Sequence, residues 1–233
     1  MIKISIIIPV YKEFNNIEKL SLKIKKYLKG SIYEVIFVDD SSNDGSEQLL
    51  KDINKRYKNF KYIIRKKNRD LSQSCFDGIK KAKYNYIQIM DGDLQHNPKY
   101  IINLKNILVK KNIDLVVGGR DLISGDNPGL AFVRRMSSIF IVFMFYIFGK
   151  KTIDPMSGFF LFKKKIYTQN KKYFFGKGYK ILADIIFNSK KKIVISDYII
   201  TFDLRFKDKS KMNFITLLNL IKLYLHILKN KIF

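Results

Sequence analysis

The chain has 233 residues; 45 are lysine or arginine and 20 are aspartate or glutamate, for a formal net charge of +25. A hydrophobic content of 47% excludes a disordered polymer and supports one large domain with a real core. The positive surplus favours an anionic partner: a phosphorylated substrate, an anionic lipid surface or nucleic acid. No nucleic acid is expected, because zinc spacing, glycine-arginine tracts and RNP-like aromatic motifs are all missing. Cys75 is the only cysteine, which excludes an internal disulfide and fits a reducing compartment. Met1 to Val10 does not have the layout of a signal peptide. The longest apolar run, Ile139 to Phe148, has about half the length needed to cross a bilayer.

In chain order, Lys3 to Val10 is β-branched and apolar, which predicts a buried strand. Asn16 to Leu28 has apolar residues at helical spacing. Glu34 to Val38 predicts a second buried strand, ending in Asp39-Asp40, and Ser46 to Tyr57 a helix reached through a polar turn. A strand over Lys61 to Arg65 and a helix over Leu71 to Ala82 follow. Tyr86 to Met90 predicts a fourth strand; Pro98 suits the first turn of a helix running to about Lys111. Asp114 to Gly118 predicts a fifth strand. Helices between strands imply parallel pairing with right-handed crossovers, hence an α/β fold. Ligands in such sheets bind beyond the carboxyl ends of the strands. Asp39-Asp40, Asp91-Gly92-Asp93 and Arg120 all fall at such ends.

The second half is less regular. Gly125 to Gly129 is a loop, Arg134 to Phe148 an apolar helix with a basic start, and Asp154 to Gly158 a turn leading into Phe159-Phe160-Leu161-Phe162. Lys180 to Ser189 predicts a helix, Lys192 to Asp203 one or two strands, and Met212 to Phe233 a basic amphipathic helix. Residues 1–233 are expected to form one domain, with about 129–149 and 212–233 as membrane-interface helices.

The most informative stretch is Asp91-Gly92-Asp93-Leu94-Gln95-His96. Residues i and i+2 at a strand end point the same way, so both carboxylates can face one ligand. Two like charges so close are costly unless a cation lies between them. Hard divalent cations take oxygen ligands and usually keep a substrate phosphate in their shell, so the stretch reads as a metal–diphosphate site.

Ile6-Ile7-Ile8-Pro9-Val10-Tyr11-Lys12-Glu13, Val38-Asp39-Asp40-Ser41-Ser42-Asn43-Asp44-Gly45-Ser46 and Asp91 to Pro98 together resemble family 2 glycosyltransferases of the GT-A fold. Asp154-Pro155-Met156-Ser157-Gly158-Phe159-Phe160, and Arg205 followed by Ser210-Lys211-Met212, resemble the dolichyl- and polyprenyl-phosphate sugar synthases within that family. The resemblance implies an inverting enzyme with Mg2+ or Mn2+. It would transfer a hexose, mannose favoured over glucose, from GDP-mannose or UDP-glucose to a polyprenyl or dolichyl phosphate. It also implies a peripheral position on the cytoplasmic face of a membrane. By the same resemblance Pro9, Tyr11, Glu13, Val38, Asp40, Asp91, Gly92, Asp93, Gln95, Arg120, Lys180, Arg205 and Lys211 meet the nucleotide sugar. Asp93, Gln95 and Asp91 hold the metal, and Arg120, Arg134 and Ser138 the acceptor phosphate. Asp91, Asp93, Arg120 and Arg205 carry the chemistry.

Several positions depart from the family pattern. Lys12 stands where Asn is usual and Gly92 where Ala is usual, the loop near Asp70-Leu71-Ser72 is missing its glycines, and Asp208-Lys209 replaces a glycine before Ser210. A lipid phosphate is already anionic at neutral pH and needs no general base. A saccharide or protein acceptor at the same site is the alternative and would need one, such as Asp154. The alternative from another class is a non-catalytic basic protein that binds membrane or RNA, for which paired carboxylates inside a basic field have no use.

Overall fold

The computed structural model describes residues 3–66, 69–110, 112–120, 143–149, 151–203 and 214–232. Strands β1 (Lys3–Val10), β2 (Ile32–Asp39), β3 (Phe60–Ile64), β4 (Tyr86–Ile89), β5 (Leu115–Gly119), β6 (Phe160–Lys163) and β7 (Ile195–Ile199) form one sheet in the order β3-β2-β1-β4-β6-β5-β7. The helices are α1 (Phe14–Tyr27), α2 (Ser46–Arg56), α3 (Leu71–Lys81), α4 (Tyr100–Lys110), α5 (Lys165–Asn170), α6 (Ile181–Asn188) and α7 (Phe214–Ile232).

β1 is covered on both faces, which is why its sequence is a continuous apolar run. Ile6, Ile8 and Val10 join Ile17, Leu20 and Ile24 of α1 and Leu104 and Leu108 of α4 in one core. Ile7 points the other way, into a second core with Cys75 and Ile79 of α3, Leu182 and Ile185 of α6, and Leu223 and Ile227 of α7. Fully burying a Leu, Ile or Val side chain stabilises by roughly 1.5–3 kcal/mol, so each layer is held mainly by this alternation.

β1 pairs in parallel with β2 and β4, β2 with β3, and β5 with β7. β6 runs antiparallel between β4 and β5. Its lead-in, residues 154–159, therefore enters the sheet at the edge where β4 and β5 end. Helix α5 has no counterpart in the sequence reading: six residues with two buried apolar side chains, Ile166 and Tyr167, are too few to display a period. Lys192 to Asp203 contains one strand among the described residues, β7. Of the helix expected over Arg134 to Phe148, only 143–148 is described, and 143–146 is helical. The Gly125 to Gly129 loop lies outside the described residues.

Candidate active site

Four loops and the lead-in to β6 converge at the carboxyl edge of the sheet: Tyr11 to Glu13 after β1, Asp40 to Asp44 after β2, Asp91 to Gln95 after β4, and Arg120 after β5. Three of these loops place non-glycine residues in the left-handed region: Lys12 (φ 56°), Ser41 (φ 62°), Asn43 (φ 50°) and Leu94 (φ 65°). Such conformations cost on the order of 1–3 kcal/mol each and persist only where the surroundings enforce them. At position 12 the backbone explains the family's usual Asn, which tolerates left-handed φ far better than lysine. Here the Lys12 N–H is fixed by donating to Ser42 Oγ at 2.9 Å.

The acidic loop alternates. Gly92, Leu94 and His96 are buried, while Asp91, Asp93 and Gln95 are half-buried. The burial alternates through the loop although the backbone is no longer a strand, leaving each of the three candidate metal ligands half-buried. Leu94 anchors the loop in the core, and Asp93 Oδ1 accepts the Gln95 N–H at 3.2 Å. His96 is the other anchor: it packs between Phe159 and Phe202, and its Nδ1 accepts the Asp91 N–H at 3.2 Å. Burial pushes the imidazole down to about 4, against the pull of Asp93, so the ring is neutral at pH 7. The 3.7 Å approach of Nδ1 to Asp91 Oδ2 is therefore not an ion pair. In the sequence His96 only closes the acidic stretch; in the structure it is the post that carries the Asp91 backbone.

Glycines 92 and 158 are both matters of space. A Cβ on Gly92 would lie 2.8 Å from Val10 Cγ1, so the group that approaches this glycine is a core side chain of β1. A Cβ on Gly158 would lie 2.4 Å from Asp91 Oδ2. The β6 lead-in thus forms a wall against which the Asp91 carboxylate rests.

Arg120 reaches the same place. Its backbone N–H and its Nε donate to Asp154 Oδ2 at 3.4 and 3.2 Å, and its guanidinium lies over the Phe202 ring at 5.1 Å. Asp154 is fully buried and also accepts the Met156 N–H, so it is turn former and arginine partner at once. The segment after β7 closes this side, where the Asp203 N–H donates to the Gln95 carbonyl at 3.0 Å.

On the β1–β2 side, Pro9 and Glu13 are buried, and Glu13 Oε2 accepts from Asn16 Nδ2 at 2.6 Å. Val38 is a core side chain against Ile7 and Cys75. Asp40 is 4% exposed: Oδ1 pairs with the Arg65 guanidinium, and Oδ2 accepts the Asp70 N–H at 2.7 Å. Burial pushes the Asp40 carboxyl up, and Arg65 opposes it. Arg65, read from the sequence only as a strand end, also meets Asp77 at 3.1 Å and Ser74 Oγ at 3.0 Å. Lys180 is half-buried at the start of α6. Arg134, Ser138, Arg205 and Lys211 lie outside the described residues.

A seven-stranded, mostly parallel sheet with an antiparallel strand beside an acidic strand end defines the GT-A class of glycosyltransferases. Residues 5–170 match the family described as Glycosyl transferase family 2. The chain belongs to that family. It is 32% identical over 213 residues to the dolichol-phosphate mannosyltransferase of Pyrococcus furiosus, covering 90% of this chain and 59% of that protein. It is 30% identical over 222 residues to the dolichol-phosphate mannosyltransferase of Saccharomyces cerevisiae, covering 91% and 82%. Among solved structures, glucosyl-3-phosphoglycerate synthase from Mycobacterium tuberculosis, in complex with Mn2+, UDP-glucose and phosphoglyceric acid, superposes with a TM-score of 0.71. The identity there is 14%, over 98% of this chain and 79% of that one, so the likeness is one of fold.

Proposed function

We propose that this chain is an inverting glycosyltransferase that moves a hexose, mannose from GDP favoured, onto a polyprenyl or dolichyl phosphate. The observation that carries the choice of acceptor is the state of Asp154. A saccharide or protein acceptor needs a general base. Asp154 is fully buried, bonded to Arg120 and to the Met156 N–H. His96 and Glu13 are buried and already hydrogen-bonded. An acceptor whose nucleophile is already a phosphate anion suits such a site. The relatives named dolichol-phosphate mannosyltransferase support the same reading.

The donor set fits a hard divalent ion. Asp91, Asp93 and Gln95, all half-buried on the loop after β4, would offer oxygen ligands. Two carboxylates plus substrate phosphates and water is the shell that Mg2+ or Mn2+ accepts. Such an ion supplies charge neutralisation to a leaving nucleotide diphosphate. Arg120, steered by Asp154, would meet the diphosphate or the acceptor phosphate with its terminal amino groups. Tyr11 and Lys180, both half-buried, would border the nucleotide, with the buried Pro9, Glu13 and Asp40 behind them; Val38 lies wholly in the core, which corrects its assignment as a nucleotide contact. Arg134, Ser138, Arg205 and Lys211 remain proposed from the family pattern.

A lipid-tailed acceptor would bring the chain to a membrane surface, on the cytoplasmic face by the family resemblance. Phe143, Ile147, Leu218, Ile221 and Leu225 are exposed, with Lys222 and Lys229 exposed beside them on α7. No helix among the described residues is long and apolar enough to cross a membrane. A panel of GDP-mannose, UDP-glucose and other nucleotide sugars, each with polyprenyl phosphate and with saccharide acceptors, tests the reading. Metal-dependent mannosyl-lipid product is expected. Transfer to saccharides alone would overturn it.

A further inference from the structure

The loop that lacks the family's glycines is tied to a distant segment. Asp70 caps α3, its Oδ1 accepting the Gln73 N–H at 3.0 Å, while its Oδ2 accepts the Gly178 N–H at 2.7 Å. The Ser72 N–H donates to the Gly178 carbonyl at 3.0 Å, and Gln73 Nε2 donates to the Gly176 carbonyl. A glycine in place of Asp70 would have no side chain for the first of these links. The segment so held, 171–180, connects α5 to α6 and turns through two left-handed glycines, Gly176 (φ 69°) and Gly178 (φ 86°). Its far side is pinned by buried Asp184, which accepts the N–H groups of Phe175 at 2.9 Å and Gly176 at 2.7 Å.

This strap ends on Tyr179 and Lys180. Arg69, next to the latch, lies over the Tyr11 ring at 4.4 Å, and its guanidinium donates to the Tyr11 and Tyr179 hydroxyl oxygens. Tyr11 belongs to the loop after β1. The Asp70 N–H in turn donates to Asp40 after β2. Asp70 therefore stands where the loops after β1 and β2 meet the strap.

We propose that Asp70 is a positioning residue for the donor: it latches the Gly178-Tyr179-Lys180 strap so that Tyr179 and Lys180 stand ordered beside Tyr11 before the nucleotide sugar arrives. The proposal rests on the donor reading above. A carboxylate accepting a backbone N–H is a charge-assisted bond, stronger than a neutral one. Without it the strap must be ordered by the ligand. The apparent affinity then falls by the fraction of molecules already ordered, while turnover of the bound complex is unchanged.

The test separates capping from latching. Serine caps a helix about as well as aspartate but is too short to reach Gly178 while capping. Asp70→Ser is expected to leave the melting temperature near that of the parent and to raise the donor KM about tenfold, with kcat within about threefold. Amide hydrogen exchange at Gly178 should quicken about tenfold without any donor present. Asp70→Asn, which keeps the volume but turns one acceptor oxygen into a donor facing an N–H, should do the same. Parental KM and parental Gly178 protection in both variants would overturn the latch. So would a fall in kcat at constant KM, or a collapse of the melting temperature in both, since either marks a merely structural role. If the parent accepts no nucleotide sugar, the donor reading fails while the exchange arm still decides whether the latch exists.

Discussion

Gly158→Ala is the substitution that separates the site from the fold most cleanly. The added methyl would sit 2.4 Å from Asp91 Oδ2, 2.7 Å from Oδ1 and 2.8 Å from Cγ. The carboxylate has to retreat by about 0.6 Å merely to reach 3.0 Å. It has room to do so, because the Asp91 side chain is 37% exposed. Turning it off its rotamer costs on the order of 0.5–1.5 kcal/mol. At roughly 2–4 °C per kcal/mol for a chain of this size, the melting temperature should drop by only a few degrees. Activity should suffer far more. A displacement approaching 1 Å in a positioned group costs about 10²-fold in rate, or about 2.7 kcal/mol of transition-state stabilisation. Transfer from the preferred nucleotide sugar, measured at saturating metal and beside a thermal melt, reads both. A variant with parental kcat/KM would show that the β6 lead-in does not position Asp91 for chemistry. Loss of cooperative unfolding would show that Gly158 serves the fold first.

Four further outcomes follow from the same geometry. Asp154→Asn leaves the Arg120 guanidinium without its charge partner and should cost about 2 kcal/mol in urea unfolding, together with most of the transfer activity; parental stability would remove the pair from the site. Lys12→Asn places a residue that tolerates left-handed φ at φ 56° and should stabilise the fold by about 0.5–1 kcal/mol in the same assay. Burial works to raise the Glu34 carboxyl, but bonds from Lys61, Ser5 and the Lys83 N–H outweigh it and hold it below the usual range. A lowered folded-state value adds stability above the unfolded one, lost as pH falls through the folded one, so Glu34→Gln should cost about 1–3 kcal/mol at pH 7 and progressively less below about pH 4.5. Co-sedimentation with liposomes should need anionic lipid and reverse with salt, since each basic residue near the surface contributes roughly 1 kcal/mol; resistance to a carbonate wash would contradict peripheral binding.

The sheet was largely legible because its signals are local. Each parallel strand is a short β-branched run between helical periods, and β1 needs no partner to be recognised as buried on both faces. The direction of β6 was not legible. Phe159 to Phe162 reads as a strand in either orientation, and only its pairing with β4 and β5 decides that it runs backwards. Reversal is what brings Asp154 and Gly158 to the edge where Asp91 and Arg120 end their strands. Helix α5 shows no period because it has only six residues, whereas α2 is announced by the turn Asp44-Gly45-Ser46, in which Asp44 Oδ1 accepts the Ser46 N–H at 3.1 Å.

The candidate site divides along the same line. Asp91, Asp93 and Gln95 are two residues apart in sequence, which marks them as a candidate set, and in the structure each is half-buried while Leu94 and His96 between and after them are buried. Residues that act across long separations gave weaker signals or none. Asp154 offered two roles, base or turn former, and its partner lies 34 residues away; its complete burial against Arg120 turns a possible proton acceptor into a fixed counter-charge. Asp70 looked like the loss of a glycine, and its partner lies 108 residues away. In both cases the sequence shows a carboxylate and the fold supplies its donor. A carboxylate already committed to a guanidinium or a backbone N–H is a poor base and a good anchor. A site whose buried carboxylates are anchors, and whose half-buried ones are the proposed metal ligands, would therefore suit an acceptor that arrives as an anion.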